Sequence, residues 1–277
     1  MTVRIEKHIE AKNAEHTAIG LLAEHTALSK SQLKAAMSNG AVWLESRHGI
    51  QRIRRAKKVL KTGEILHLYY DSLVQAQAPE TAVLVADEGS YSIWNKPWGM
   101  YSQGSKWGDH CTIYRWAEQH LKPQRPAYPV HRLDRAANGL IILAHNKKTA
   151  RAFLQMFRQH TITKHYGAIV EGDLGDLALP HVIDLELDGK ASESVILEAK
   201  YSPDENTTTA LIDIRTGRKH QIRRHMASIG HPVVGDRLYG AGDTGKNLQL
   251  SSTYLSFICP VDGGRRSYSL GESRSVG

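Results

Sequence analysis

The chain has 277 residues and lacks the features that would place it in a membrane or outside the cell. No run of about 18 apolar residues occurs, so a membrane-spanning helix is not expected. Only two cysteines are present, Cys111 and Cys259, and two cannot form a disulfide framework or a zinc site built from cysteine. The N-terminal segment combines acidic and basic side chains, which fits neither a signal peptide nor a transit peptide. We therefore expect a protein of the reducing cytoplasm.

Motifs for nucleotide, hydrolase and metal chemistry are also missing. No Gly-x-Gly-x-x-Gly follows a strand pattern, and no Gly-x-Ser-x-Gly elbow is present. The segment Gly240–Asn247 approaches a phosphate loop, but Asn stands where a magnesium-binding hydroxyl is needed, and we interpret it as a glycine-rich surface loop. The histidines His220 and His225 are five residues apart, not the four of a helical zinc site. We expect neither a cofactor nor a metal.

Acidic residues are fewer than basic ones. Lys and Arg number 36 against 28 Asp and Glu, which gives a formal net charge of +8. A basic excess favours a polyanionic partner, usually a nucleic acid, because each cation that neutralises a phosphate releases a counterion. Two segments contain several cations and no acid, one between Glu45 and Glu64 and one between Asp213 and Asp236. The alternative is an ordinary solvated surface, which two separate acid-free segments disfavour.

One segment divides the chain. Ser72–Thr81 is polar, has no hydrophobic period and contains Pro79, so we place a domain boundary there. It separates an N-terminal module, residues 1–75, from a larger domain, residues 82–277. Hydrophobic residues make up 41% of the whole chain, enough for a sizeable core.

The larger domain shows strand and helix patterns in mixed order. Strands are predicted at 90–94, 139–144, 164–170, 194–200 and 209–215, and helices at 112–121, 147–160 and 219–229. Paired strands with inserted helices, without strict β-α-β alternation, indicate an α+β domain with a mixed, largely antiparallel sheet.

The N-terminal module has a helix pattern followed by strand patterns. A helix is predicted at 29–39, with Ser29 as its N-cap and Gly40 as its stop; a strand, a basic loop, a turn at Lys61–Glu64 and a closing strand follow. This order resembles the alpha-L RNA-binding motif, first known from a ribosomal protein of the small subunit. The resemblance implies a small α/β RNA-binding module in which helix lysines, here Lys30 and Lys34, contact RNA phosphates.

One segment of the larger domain combines charge and position in an unusual way. His131-Arg132-Leu133-Asp134-Arg135 places a carboxylate between two arginines, directly before an apolar strand pattern. From these residues alone, a solvated Asp in a turn is an open alternative to a functional carboxylate.

Four ordered motifs resemble the RluA-type pseudouridine synthases. They are HRLD at 131–134 with Gly139, NKP at 95–97, KHYGAIVEG at 164–172, and TGRKHQIRRH at 216–225 with His231-Pro232 and Gly235-Asp236. The chain departs from the family pattern at Ala137-Asn138, where Thr-Ser is usual, and at Leu250–Ser252, where Leu-His-Ala is usual. The resemblance implies a bent mixed sheet with an RNA-binding cleft and no cofactor, and the isomerisation of uridine to pseudouridine in RNA.

The resemblance also implies roles for individual residues. Asp134 is the catalytic residue, and Arg223 is the partner that keeps it ionised. Arg132 and Tyr166 contact the substrate, Tyr166 by stacking on the displaced uracil. Arg218, Lys219 and Arg224 hold phosphates, and Asn95 and Lys96 support the cleft.

Two other functions remain open at this point: an RNA-binding protein of the same fold without activity, and a different glycosyl-bond enzyme such as a glycosylase. The substrate is expected to be structured RNA, with ribosomal RNA slightly favoured over tRNA because the alpha-L-like module suits folded helices. No protein partner is evident, and we expect a monomer.

Overall fold

The computed structural model describes residues 2–13, 16–242 and 245–271. The contacts divide the chain into two compact units, Met1–Pro79 with Gln103–His120, and Glu80–Ser102 with Leu121–Gly277. The sequence division assigned 103–120 to the larger domain, whereas its contacts lie with the first unit. The division into a module at 1–75 and a catalytic domain at 82–277 stays a prediction about function.

The first unit is a four-stranded antiparallel sheet with helices. Its elements are β1 Arg4–Glu10, α1 Ala18–His25, α2 Lys30–Ser38, β2 Val42–Ser46, β3 Gly49–Arg52, β4 Ile65–Asp71, α3 Ser72–Gln75 and α4 Ile113–His120. The strand order is β1-β4-β2-β3. Apolar residues of α1 and α2 form one core with β2 and β4, in which Leu22, Leu33, Met37 and Leu66 are fully buried.

Helix α2 begins where the sequence predicts. Ser29 caps it with a capping box, because its hydroxyl accepts from the Gln32 N–H while the Gln32 side chain accepts from the Ser29 N–H. Leu33 and Met37 lie on the buried face. The predicted polar linker differs from the structure, because its first four residues form the short helix α3, which Asp71 caps.

The segment 103–120 is fixed in the first unit by one buried carboxylate. Asp109 binds the Arg54 guanidinium through both oxygens, at 2.7 and 2.6 Å, and accepts from the Tyr114 hydroxyl at 2.9 Å. Arg52 lies 3.6 Å from the same carboxylate. A side chain at Gly40 would collide with Asp109. Two arginines of the first acid-free segment are therefore engaged inside the unit.

The second unit is built on a large mixed sheet. Its elements are β5 Val83–Asp87, β6 Tyr91–Lys96, β7 Tyr128–Pro129, β8 Asn138–Ala144, α5 Lys147–Arg158, β9 Thr163–Glu171, β10 His181–Asp184, β11 Glu193–Ser202, β12 Thr207–Ile214, α6 Gln221–Ser228, β13 Leu250–Ile258 and β14 Arg265–Ser269. The order is β10-β11-β12-β9-β13-β8-β6-β5, with β14 on β13 and β7 on β8. Among the described strands β13 and β8 pair in parallel and the other pairs are antiparallel. The predicted α+β class with a mixed, largely antiparallel sheet is confirmed. No helix in the described part of the chain is long and apolar enough to cross a membrane.

Two features of this sheet prepare the functional site. Helix α5 covers one core, in which Phe153 packs with the apolar residues of β6 and β8. The strand ladders also align Lys96, Gly139, Ser252 and Tyr166 in one row across β6, β8, β13 and β9. Gly139 has φ +114, and a side chain there would collide with the Ser252 backbone, so only glycine lets β8 and β13 approach this closely.

Candidate active site

Asp134 lies in the turn between β7 and β8, residues 131–137, which we name the HRLD turn. Its side chain is 18% exposed, and the Arg223 Nη1 atom lies 3.6 Å from its Oδ2. The His220 Nε2 atom lies 3.8 Å from its Oδ1. Helix α6 carries Arg223 and begins directly after His220. The structure therefore brings together two charges that stand 89 residues apart in the printed sequence.

The strongest partner of Arg223 is not Asp134 but Asp236. The guanidinium donates to both Asp236 oxygens, at 2.7 and 2.6 Å, and both side chains are buried. Asp236 also accepts from the N–H groups of Leu238 and Tyr239. Although burial acts to raise the pKa of Asp236, Arg223 and these amides hold it below the ordinary value. Burial acts to lower the pKa of Arg223, and Asp236 and Asp134 outweigh this and raise it.

Two side chains fix the backbone of the HRLD turn. The Ser102 hydroxyl accepts from the Leu133 N–H at 3.0 Å and donates to the Leu133 carbonyl at 2.7 Å. The His131 Nε2 atom accepts from the Ile142 N–H at 2.9 Å. Burial lowers the pKa of His131 to about 3, so the ring is neutral, as an acceptor must be. The residue before Asp134 and the start of the turn are thus held in place.

Lys96 supports the end of the same turn. Its fully buried ammonium donates to the carbonyls of Pro97 and Met100, each at 3.0 Å, and to that of Ala137 at 2.6 Å. These three acceptors use all three N–H groups of an ammonium. Burial lowers the pKa of Lys96 to about 7, and the Asp134 charge opposes this shift. This geometry fits the supporting role that the resemblance implies.

Tyr166 lies on β9, paired with Ser252 on β13. It is buried, and this burial, with a contribution from the Asp134 charge, raises its pKa above the ordinary value despite the opposing effect of the Ser252 hydroxyl. The phenol is therefore protonated at neutral pH and can donate a hydrogen bond there.

The cations that the resemblance assigns to RNA differ in their surroundings. Arg132 and Lys219 are exposed and make no hydrogen bond or salt bridge with any described residue. Arg218 is exposed and donates to the Ala191 carbonyl at 3.0 Å. Arg224 pairs with Asp188, which is 68% exposed, at 3.0 Å. An RNA phosphate would therefore have to replace this carboxylate. Lys30 and Lys34 are exposed on α2 in the first unit.

His220 and Tyr239 were not assigned a role by the sequence. His220 has φ 54 and ψ 30, the left-handed conformation, and its ring does not cap α6. Its Nδ1 atom lies 3.0 Å from the Tyr239 hydroxyl. The Tyr239 ring also lies 5.2 Å from the Arg223 guanidinium. Asp236, whose Gly-Asp motif was recognised, likewise had no predicted role. These residues come together only in the folded chain, and the histidine within TGRKHQ was the one local signal.

The described residues contain no group of three or more His, Cys, Asp or Glu side chains that could hold a metal ion. The groups around Asp134 are the Arg223 guanidinium, the His220 imidazole and the buried Lys96 amine, whose pKa burial lowers to about 7, and the carboxylate of Asp236 is bound by Arg223.

Comparison with known proteins identifies similar chains. A family model described as RNA pseudouridylate synthase matches residues 90–228. The tRNA pseudouridine synthase C of Haemophilus ducreyi is 33% identical over 196 residues, which cover 62% of this chain and 78% of that protein. The dual-specificity RNA pseudouridine synthase RluA of Vibrio vulnificus is 33% identical over 66% of this chain and 79% of its own length. The solved structure of human RNA pseudouridylate synthase domain containing 1 has the same fold, with a TM-score of 0.56, 24% identity, and coverage of 69% and 83%.

Proposed function

Since the chain belongs to the RNA pseudouridylate synthase family and is an isomerase that acts on RNA, we propose that Asp134 is its catalytic residue. The reaction breaks the N1–C1′ bond of uridine, turns the uracil and joins C5 to C1′. It is an isomerisation and consumes no oxidant or reductant. It requires an ionised carboxylate at a fixed position beside the ribose and the base.

The observation that carries this proposal is the position of Asp134 beside Arg223. The guanidinium is bound by Asp236 and cannot turn away, so it presents a fixed positive charge 3.6 Å from Asp134. Three routes use this carboxylate: attack at C1′, attack at C6, or removal of the C2′ proton. Covalent attack by a carboxylate at an anomeric carbon is established chemistry.

The target base must leave its stack before it can reach Asp134, at a cost of a few kcal/mol. Tyr166 offers a ring face for the displaced uracil. The exposed Arg132, two residues before Asp134, can enter the vacated space and bind the adjacent phosphate. Arg218, Lys219 and Arg224 bind further phosphates, which position the RNA without reading its sequence.

We further propose that residues 1–75 are an alpha-L-like module that binds folded RNA and that residues 82–277 are the catalytic domain. A concave surface of the first unit is lined by four cations and one alanine: Lys34, Arg55, Ala56, Lys57 and Lys58. A module of this kind suits helices recognised by shape, so ribosomal RNA is slightly favoured over tRNA. The names of similar proteins include a tRNA enzyme and a dual-specificity enzyme. We place the protein in the cytoplasm, as a monomer.

The test is pseudouridine mapping of total RNA from a strain that lacks the gene, before and after incubation with the protein or with its Asp134→Asn variant. We expect new pseudouridines with the unchanged chain and none with the variant, which should bind RNA with an affinity within a few-fold. Turnover by the variant would contradict the role of Asp134. Release of free uracil would indicate a glycosylase instead, and RNA binding without any new site would indicate an inactive binder.

A further inference from the structure

Trp98 differs from the other tryptophans of the chain in what surrounds its ring. It is 37% exposed, and no aromatic ring or cation among the residues that the structure describes stacks on it. An exposed tryptophan ring of this kind is typical of binding surfaces. The other four are buried or covered: Trp94 is buried, and Trp43, Trp107 and Trp116 lie against Arg52, Arg4 and His120.

The ring of Trp98 is also held in one orientation. Its indole N–H donates to the Leu248 carbonyl at 2.9 Å, so the one polar atom of the side chain is already paired. What the side chain still offers to a partner is the apolar ring. A ring that is fixed in advance loses little conformational freedom when a partner binds, which favours a stacking contact.

The segment that carries Trp98 is joined to the HRLD turn. The Gly99 N–H donates to the Arg135 carbonyl at 2.9 Å, and the Gly99 carbonyl accepts from the Arg135 Nε–H at 3.0 Å. Arg135 directly follows Asp134 in the chain. A uridine held at Asp134 therefore has its neighbouring nucleotide close to the ring of Trp98.

Arg135 adds a flat cation to the same surface. Its guanidinium lies 4.6 Å from the centre of the Tyr101 ring, and its Nε–H is used by Gly99. The side chain is exposed, and its two Nη atoms form no hydrogen bond or salt bridge with residues of the described ranges. A guanidinium held in this way can bind a phosphate through its free N–H groups. An aromatic ring beside a cation is the combination that binds unpaired nucleotides.

We propose that Trp98 is a specificity-determining residue, which stacks on an unpaired base next to the target uridine while Arg135 binds a phosphate of that nucleotide. The proposal rests on the proposed function, because it takes the uridine at Asp134 as its fixed point. A base inside a helix has both faces covered by its neighbours, so the stacked base must lie in a loop or bulge. The exposed cations Arg132 and Arg135 favour RNA over an apolar protein surface as the occupant.

The test uses Trp98→Ala and a synthetic RNA stem-loop that contains one uridine identified by the mapping experiment. We expect RNA affinity to fall by about 5- to 150-fold, the range for the loss of one stacked base, and the loss to fall on KM rather than kcat. Trp98→Phe keeps an aromatic ring and should bind more tightly than Trp98→Leu, which keeps apolar volume alone. Arg135→Gln should lower the salt dependence of binding by a slope of about 1.

Two further stem-loops lack the base on the 5′ or on the 3′ side of the target uridine. At the stacked position the missing base should weaken binding by the unchanged protein, and Trp98→Ala should then cost nothing further, because both changes remove the same contact. An equal loss on all three RNAs, or no loss on any, would overturn the proposal. The matched control is Tyr201→Ala, since Tyr201 is a partly exposed aromatic residue near the end of β11, and this variant should bind as the unchanged protein does.

The outcome stays decisive if Trp98→Ala does not fold. In that case Trp98→Phe is compared with Trp98→Leu, and equal affinity of these two variants overturns the proposal. Failure of the proposed function is recognised separately, because the unchanged protein then forms no pseudouridine in the stem-loop.

Discussion

The substitution Asp236→Asn tests whether the carboxylate behind Arg223 determines the geometry of the site. Asn keeps the shape of Asp236 and removes its charge. Both side chains are buried, with exposures of 0% for Asp236 and 6% for Arg223, and two short hydrogen bonds join them. Breaking a buried ion pair by removing one partner costs about 3–5 kcal/mol. Since whole domains are stable by about 5–15 kcal/mol, this loss is large.

The same substitution should also slow the reaction. Without the Asp236 charge, Asp134 is the carboxylate left near Arg223, and the guanidinium is free to turn toward it from its present 3.6 Å. A direct hydrogen bond would occupy the Asp134 oxygens. We expect kcat to fall about tenfold, which corresponds to about 1.4 kcal/mol in the barrier.

The stability difference between the two proteins should depend on pH. The pKa of Asp236 in the folded chain lies below the ordinary value of 3.8, so its contribution is present above that value and is lost as the pH falls through the folded pKa. The gap between Asp236→Asn and the unchanged protein should thus be full at neutral pH and shrink below about pH 4.

Urea unfolding at several pH values and single-turnover kinetics measure these effects. The control is Asp262→Asn, because Asp262 also binds an arginine, Arg266, at 2.6 Å, but on the surface. This variant should unfold and react as the unchanged protein does. If Asp236→Asn unfolds at the same urea concentration as the control, or if its kcat is unchanged, the reasoning about Arg223 is refuted.

Three further predictions concern the turn, the sheet and the first unit. Lys96→Met should lower kcat without weakening RNA binding, because the Ala137 carbonyl of the HRLD turn loses the ammonium that joins it to Pro97 and Met100. An unchanged kcat would show that this support is not needed. Gly139→Ala should destabilise the fold by about 1–3 kcal/mol in urea unfolding, because its side chain meets the Ser252 backbone in a strained conformation. The double variant Lys34→Gln with Lys58→Gln should reduce the salt dependence of RNA binding by a slope of about 2, measured by titration. An unchanged slope would show that these two lysines do not contact RNA phosphates.

Elements whose local pattern matches their burial could be predicted from the sequence. The apolar run 139–144 is a buried strand, and the spacing of Ala150, Phe153, Leu154 and Phe157 indicates the helix α5, although Leu154 lies outside its buried face and is 40% exposed. Helix α2 follows from the capping signal at Ser29. In each case the side chains that decide the conformation are neighbours in sequence, so a pattern carries the information.

Elements at the edges gave no such signal. Strand β1, Arg4–Glu10, has Ile5 and Ile9 four residues apart and is otherwise mostly exposed, so its sequence lacks the alternation of a half-buried strand. It is an edge strand that pairs with β4 alone. Its conformation depends on that partner, about 60 residues away, and on the core that forms around it.

Ion pairs between residues that are distant in sequence could not be predicted either. The segment 103–120 was assigned to the larger domain because it follows the predicted boundary in sequence. Its contacts depend on Asp109 meeting Arg52 and Arg54, which a linear pattern does not reveal. Equally, a basic segment predicts that the surface charge is positive, but it does not show which arginines form ion pairs inside the fold.

Asp236 and Asp134 both lie near the Arg223 guanidinium, but they interact with it in different ways. Asp236 takes the directed hydrogen bonds of Arg223 and is fully buried, whereas Asp134 lies beyond hydrogen-bond distance and is partly exposed. Charge attraction acts over this distance, but a hydrogen bond does not. Asp134 therefore has a counter-ion while its oxygens stay available to a substrate. This difference supports the proposal that Asp134, and not Asp236, is the carboxylate that reacts with the substrate.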